Sequence, residues 1–251
     1  MAAFFGELEL YQEKGRTLTR TGKLLLLILA AGTAASAQAP NAAGAADNPV
    51  AQVRTARSWE YGPIVNWGTG VGDRSSYKFL WAGFQAAKPL TPVIHAGFVS
   101  GQFELGASVS PFFQAYTPAA HEQTFTYHGA TYTAPVGGGT FTGASMTPVI
   151  LRWNFLTSSR RFQPWFQGAG GLIYTTHKFP PDVLIPHGNP GGTSVFNFTP
   201  QGGIGFHYFT RPKRSIDLGV NAVHISSASL GDRNPGVNAS IQVQVGYTLW
   251  K

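Results

Sequence analysis

The chain has 251 residues, a formal net charge of +7, only 12% charged residues and no cysteine. The missing cysteines exclude a disulfide scaffold, thiolate metal sites, a cysteine nucleophile and thiol redox chemistry. Sparse charge, with its one basic cluster at 211–214, does not fit a nucleic-acid-binding protein, whereas a mildly basic exported protein suits anionic phosphate headgroups.

At the N-terminus, Lys14, Arg16, Arg20 and Lys23 precede the apolar run 24–31, and Ala35-Ser36-Ala37 fits a signal-peptidase site. A basic region, a short apolar region and small residues in that order predict a signal peptide over 1–37, too short in its apolar part to span a bilayer. Residues 38–56 are rich in Ala, Asn and Pro and are expected to form a flexible lead-in to a single domain over 57–251. No later stretch reaches the length of a transmembrane helix, so entry into a membrane would require a closed barrel.

Glycine, aromatic residues and alternating apolar positions dominate the remainder, and they predict eight strands. These fall at 58–68, 77–86, 102–116, 140–156, 163–176, 196–209, 215–226 and 239–250. The last is the clearest: Ile241, Val243, Val245, Tyr247 and Leu249 make one face, and Ser240, Gln242, Gln244, Gly246 and Thr248 the other. In the third, Phe103, Leu105, Ala107 and Val109 oppose Glu104, Gly106 and Ser108. A soluble barrel would turn such apolar faces inward; an outer-membrane barrel turns them to lipid.

Two features favour lipid. Aromatic residues collect near strand ends (Trp59, Tyr61 and Trp67 on the first strand, Tyr247 and Trp250 on the last), as interfacial girdles do. Links are short at 158–162 and 210–214 but long at 117–139, 179–195 and 227–238, the pattern of periplasmic turns and external loops. The predicted fold is all-β, an eight-stranded antiparallel transmembrane β-barrel of the outer membrane. Glycines at 168, 170, 171, 202, 203 and 205 suit its tight curvature.

Parity also sorts the polar residues. Arg152 and Asn154 share the polar face of their strand, and Glu104 and Asp217 are inward, which predicts charge pairing inside the barrel. On the seventh strand, His224 and Ser226 share the face of Ile216, Leu218, Val220 and Ala222. Loop order places the pair on the outside wall at outer-leaflet height, where a base and a hydroxyl would meet lipid esters. The other histidines (His95, His121, His128, His177, His187, His207) have no metal-ligand spacing and are read as loop or strand surface.

The segment His224-Ile225-Ser226-Ser227-Ala228, followed by Asn234-Pro235-Gly236-Val237-Asn238, resembles the strand-end signature of the lipid A 3-O-deacylase (PagL) family. That signature is His-x-Ser-Asn-Ala, then an Asn-x-Gly loop and an acidic residue. The stretches 147–155, 163–171 and 196–203 also look like relatives in the wider family, so the resemblance covers most of 59–250. It implies an outer-membrane serine esterase that removes the 3-O-linked acyl chain of lipid A in lipopolysaccharide, needing no metal and no organic cofactor. Ser226 would be the nucleophile and His224 the base, with Ser227 and Asn234 supporting the site and backbone N–H groups after Ser226 forming the oxyanion hole.

The sequence departs from the signature at two positions. Ser227 replaces an asparagine, and Asn238 stands where the family has its acid. Asn238 is the favoured orienting group for His224, with Asp232 the alternative. The expected partner is lipid A in the outer leaflet, and a homodimer is left open. The competing readings are a non-catalytic OmpA-like barrel with a structural or adhesive role and, more distantly, a soluble periplasmic lipid-binding barrel.

Overall fold

The computed structural model describes residues 48–119, 121–127, 129–136, 140–179, 194–228 and 238–251. All lie within one compact unit, Ala39–Lys251. The expected signal peptide, the first part of the lead-in, and Asp232, Asn234 and Gly236 lie outside the described residues.

Helix α1 spans Pro49–Ala56. The barrel strands are β1 (Glu60–Gly70), β2 (Lys78–Pro89), β3 (Gly101–Tyr116), β6 (Thr140–Phe155), β7 (Phe162–Phe179), β9 (Gln201–Arg211), β10 (Arg214–His224) and β11 (Ala239–Trp250). They run β6-β3-β2-β1-β11-β10-β9-β7, and β6 pairs with β7 to close the barrel. Every pairing is antiparallel. Closure leaves no sheet edge, the condition a β-structure must meet in hydrocarbon. Between β3 and β6, in what the sequence suggested was a long loop, β4 (His121–Tyr127) and β5 (Ala130–Val136) form a separate hairpin.

The strand expected over 196–209 is two pieces, β8 (Ser194–Phe198) and β9, interrupted at Thr199-Pro200. Pro200 has no N–H to give to the ladder and restricts the residue before it. Both pieces pair with β7, β9 with its first half and β8 with residues further along. Pro111 and Pro148 likewise sit at the register shifts of the β3–β6 and β6–β7 pairings, where a missing donor is tolerated.

The apolar faces point outward. On β11, Val243 is 52% exposed while Gln242 and Gln244 on the alternate face are buried, and β10 follows the same alternation. The end bearing the longer loops carries the β3–β6 and β10–β11 connections; the opposite end carries the tight β9–β10 turn and the junction where Trp59 and Lys251 exchange backbone hydrogen bonds. These are the external and periplasmic ends of an outer-membrane barrel.

Two interior layers occupy the lumen, one towards each end. Near the periplasmic end, Arg152 Nη1 donates to Glu60 at 2.5 Å and to Glu104 at 2.8 Å. Asn154 donates to Glu104, Gln85 to Glu60, and Trp165 lies under the guanidinium. The expected charge pairing inside the barrel is therefore present, with Arg152 between Glu60 and Glu104. His207, read as surface, is instead fully buried and pairs with Asp217 at 2.7 Å, because β9 alternation turns it inward. Asp217 also accepts from Ser215 and Thr248. Such groups persist in an interior only when paired and hydrogen-bonded. Towards the external end, Tyr77, Phe79, Trp81, Phe113, Phe141, Ile173, Phe179 and Ile225 form an aromatic layer.

Trp250 does not join the outer girdle. It faces inward on β11, donates to Ser215 and packs on Phe209 and His207, whereas Trp59 and Trp67 are half exposed. Residues 49–56, expected within the flexible lead-in, form α1: the Asn48 side chain accepts from Ala51 N–H, with proline in the first turn. Val50 and Val53 of α1 are buried with Phe209 and Trp250 at the periplasmic end.

Candidate functional site at the outer end of strand β10

Strand β10 alternates without interruption from Ser215, buried, to His224, partly exposed. The alternation continues past the strand end: Ile225 is 1% exposed, Ser226 is partly exposed and Ser227 is buried. His224 and Ser226 thus flank an anchored residue, with Ile225 locked in the aromatic layer and the two polar side chains on the outward face. Two residues apart along an extended chain, their Cα atoms are roughly 6–7 Å apart.

Backbone bonds fix this short segment on both sides. His224 N–H donates to the Pro200 carbonyl at 3.0 Å. Ser226 and Phe198 exchange two bonds, of 3.0 and 2.7 Å, so β8 holds the serine although β10 proper has ended. From the other side, Ile225 N–H donates to the Asn238 carbonyl at 2.9 Å. The break at Pro200 has a local consequence: Pro200 still accepts from His224, and β8 resumes in time to pair with Ser226.

Beyond Ser226 the chain turns sharply. Ala228 has φ +52°, a left-handed conformation that costs a non-glycine residue roughly 1–2 kcal/mol. In that conformation Ala228 N–H donates to Ser226 Oγ at 3.1 Å. The hydroxyl therefore accepts from the backbone N–H two residues further on. Ser227, between Ser226 and Ala228, is buried.

Asn238 takes a different place from the one expected of an orienting group for His224. It is 5% exposed and faces inward, level with Ile225, and its Oδ1 accepts from Arg74 Nε at 3.2 Å. Its Nδ2 has no hydrogen-bond partner among the described residues. Strand parity is the reason: Ala239 pairs with His224, so the preceding residue points to the opposite side of the wall. The structure brings His224 and Ser226 to one face and Asn238 to Arg74 on the other. Asp232 and Asn234 lie outside the described residues.

The wall below the pair is smooth. Ala222 pairs with Gly202, and Gly202 pairs with Gly168, so three small residues on adjacent strands form an outward row. A Cβ built on Gly168 would meet nothing within 4 Å, and one on Gly202 only the Gln167 carbonyl at 3.7 Å. Packing within the barrel therefore does not require glycine at either position. Phe196 and Tyr174, both well exposed, stand on the outer-end side of this row.

Sequence reasoning missed Arg74, Ile225 as an anchor, and Pro200. Pro200 alone left a signal, a proline inside a predicted strand. Among the described residues no group of three His, Cys, Asp or Glu side chains is placed to hold a metal.

Residues 101–248, more than half of the chain, match the family model for lipid A 3-O-deacylase (PagL), and the match includes His224, Ser226 and Asn238. Among solved structures, the chain is similar to the outer membrane enzyme PagL (14% identity over 74% of this chain and 98% of that one, TM-score 0.42). It is also similar to Neisserial surface protein A (NspA), at 14% identity over 76% and 96% of the two chains and a TM-score of 0.44. The N-terminal β-barrel domain of Pseudomonas aeruginosa OprF matches at 9% identity, over 77% and 98%, with a TM-score of 0.38. No curated protein sequence matches the chain. By its match over 101–248, this outer-membrane β-barrel belongs to the lipid A 3-O-deacylase (PagL) family.

Proposed function

We propose that the protein is a serine esterase that hydrolyses the ester at the 3-position of lipid A, using Ser226 as nucleophile and His224 as general base and acid. The observation that carries this reading is the sharing of one lipid-facing surface by His224 and Ser226 at the external end, with Ile225 anchored between them. Lipid A presents its acyl esters at that height, so the substrate need not leave the bilayer to react.

In the first half-reaction His224 takes the Ser226 proton as Oγ attacks the ester carbonyl. The tetrahedral oxyanion collapses, breaking the bond to the sugar oxygen, and that oxygen leaves with the proton from His224. An acyl-serine remains. In the second half-reaction water attacks the acyl carbonyl, His224 takes its proton and returns it to Ser226, and a free fatty acid departs. The Ser227 and Ala228 N–H groups are the candidate oxyanion donors, with Asn234 a supporting residue; the Ala228 N–H, which donates to Oγ in the free protein, would turn to the ester oxygen as the acyl group binds. The row Ala222–Gly202–Gly168 offers an acyl chain a surface free of protruding side chains.

Asn238 supports this chemistry as a positioning residue rather than by facing the imidazole. Its carbonyl holds Ile225 N–H from inside, and its side chain ties the same point to Arg74. The second reading is a barrel without catalysis, with a structural or adhesive role.

Mass spectrometry of lipid A from cells carrying the wild type or Ser226→Ala separates the two. Loss of one 3-O-linked acyl chain with the wild type alone is the expected result. Unchanged lipid A in both, with the protein folded in the outer membrane, would favour the non-catalytic barrel.

A further inference from the structure

Exposed positive charge is concentrated at the end of the barrel opposite the candidate site. The β6–β7 turn carries Arg160 and Arg161, and the β9–β10 turn carries Arg211, Lys213 and Arg214, all exposed. Arg57 is exposed just before β1, and Lys88 on β2 lies 5.1 Å over the half-exposed Trp59 ring. The acidic side chains near this end, Glu60, Glu104 and Asp217, are buried in the interior network. Among the described residues no exposed acidic side chain accompanies these cations, and the exposed Glu122 belongs to the external hairpin.

The remaining periplasmic connection, residues 90–100, is apolar where the others are basic. Phe98 is 97% exposed, and Leu90, Ile94 and Val99 are each at least 40% exposed. These residues continue the lipid-facing wall past the end of β2, and Trp153 donates to the Val99 carbonyl to hold the turn against the barrel. A cation over an aromatic ring, as at Lys88 and Trp59, is the arrangement of a side chain reaching from an apolar surface to headgroups.

We propose that this rim is a collar for anionic phospholipid of the inner leaflet, with phosphate headgroups held by the basic turns and the Phe98 turn inserted among the acyl chains. Charge complementarity selects an anionic headgroup, and continuity with the lipid-facing wall selects a lipid as its carrier. The collar is independent of the esterase reading, because it lies at the other end of the barrel.

The test uses the full chain folded in phosphatidylcholine vesicles with traces of spin-labelled phosphatidylglycerol or phosphatidylcholine. Electron spin resonance reads the fraction of each lipid held at the protein surface. Phosphatidylglycerol should associate at least about threefold more strongly at low salt, and high salt should abolish most of the preference. The variant R160Q/R161Q/R211Q/K213Q/R214Q should lose it, whereas K78Q/K178Q, altered at the external end, should retain it. Heat-modifiable gel mobility verifies folding, and R211Q/R214Q replaces the fivefold variant if that one does not fold. Equal association of both lipids with the wild type would overturn the collar. So would a preference that survives in the rim variant or disappears in K78Q/K178Q. Because the chain has no cysteine, Phe98→Cys can carry a single polarity-sensitive dye. Its emission should be quenched by brominated acyl chains; quenching by aqueous iodide alone would overturn the insertion of the turn.

Discussion

Arg74 and Asn238, 164 positions apart in sequence, meet inside the barrel at its external end, with Arg74 Nε donating to Asn238 Oδ1 at 3.2 Å. Arg74 belongs to the connection between β1 and β2, and its guanidinium also lies 5.3 Å from the Tyr77 ring centroid. The contact ties the base of the loop after Ser226 to a loop two strands away. It also decides what a carboxylate at position 238 would do.

Replacing Asn238 by glutamate should therefore not raise the rate of deacylation. The new carboxylate would face Arg74 on the inner side of the wall, leaving the pH profile of the rate in place. Rates of lipid A deacylation across pH, compared between wild type and Asn238→Glu, test this. A several-fold gain with a displaced profile would mean that position 238 faces His224.

Arg152→Met removes the cation shared by Glu60 and Glu104, both buried. Leaving such carboxylates without their partner should cost about 3–5 kcal/mol of stability. Glu104→Gln should cost less, because the amide oxygen still accepts from Arg152 and only the acceptor that faces Asn154 is lost. Urea unfolding in detergent micelles gives both values, and equal losses would contradict the assignment of Arg152 as the central cation.

Much of this architecture was legible because β-structure writes its faces with period two. The outward residues of β11 and the inward placement of Glu104, Arg152 and Asp217 follow from alternation alone. Alternation does not say which inward residues share a level. Glu60 and His207 joined the network only once register across β1, β2 and β9 was known. Asn238 is the same case at the site: preceding Ala239, it faces inward by alternation, but Arg74 as its partner depends on how a separate loop packs. Helix α1 was missed although Asn48-Pro49 is a capping signal, because its eight residues offer little periodicity.

Gly168→Leu places a side chain in open space on the outer wall, so the barrel should fold with unchanged stability. If acyl chains lie along the row from Ala222 to Gly168, kcat/KM should fall by at least about tenfold. Heat-modifiable mobility and deacylation kinetics measure the two effects separately. A folded variant with wild-type kinetics would show that the chain takes another path.

Ala228→Gly should relieve the left-handed backbone after Ser226 and stabilise the folded state by up to about 1 kcal/mol. Glycine keeps the N–H that reaches Ser226 Oγ, so activity should persist. Urea midpoints and initial rates check both; a destabilised variant would mean that the methyl group makes a needed contact.

The central claim is that Ser226 is an activated nucleophile. Its most direct test is labelling of the purified, folded protein with a long-chain alkyl fluorophosphonate, followed by peptide mass mapping. The account predicts one phosphonyl adduct on Ser226, none in Ser226→Ala, and labelling slowed by at least about a hundredfold in His224→Ala. An adduct on Ser227 or another serine, or unchanged labelling in His224→Ala, would contradict it.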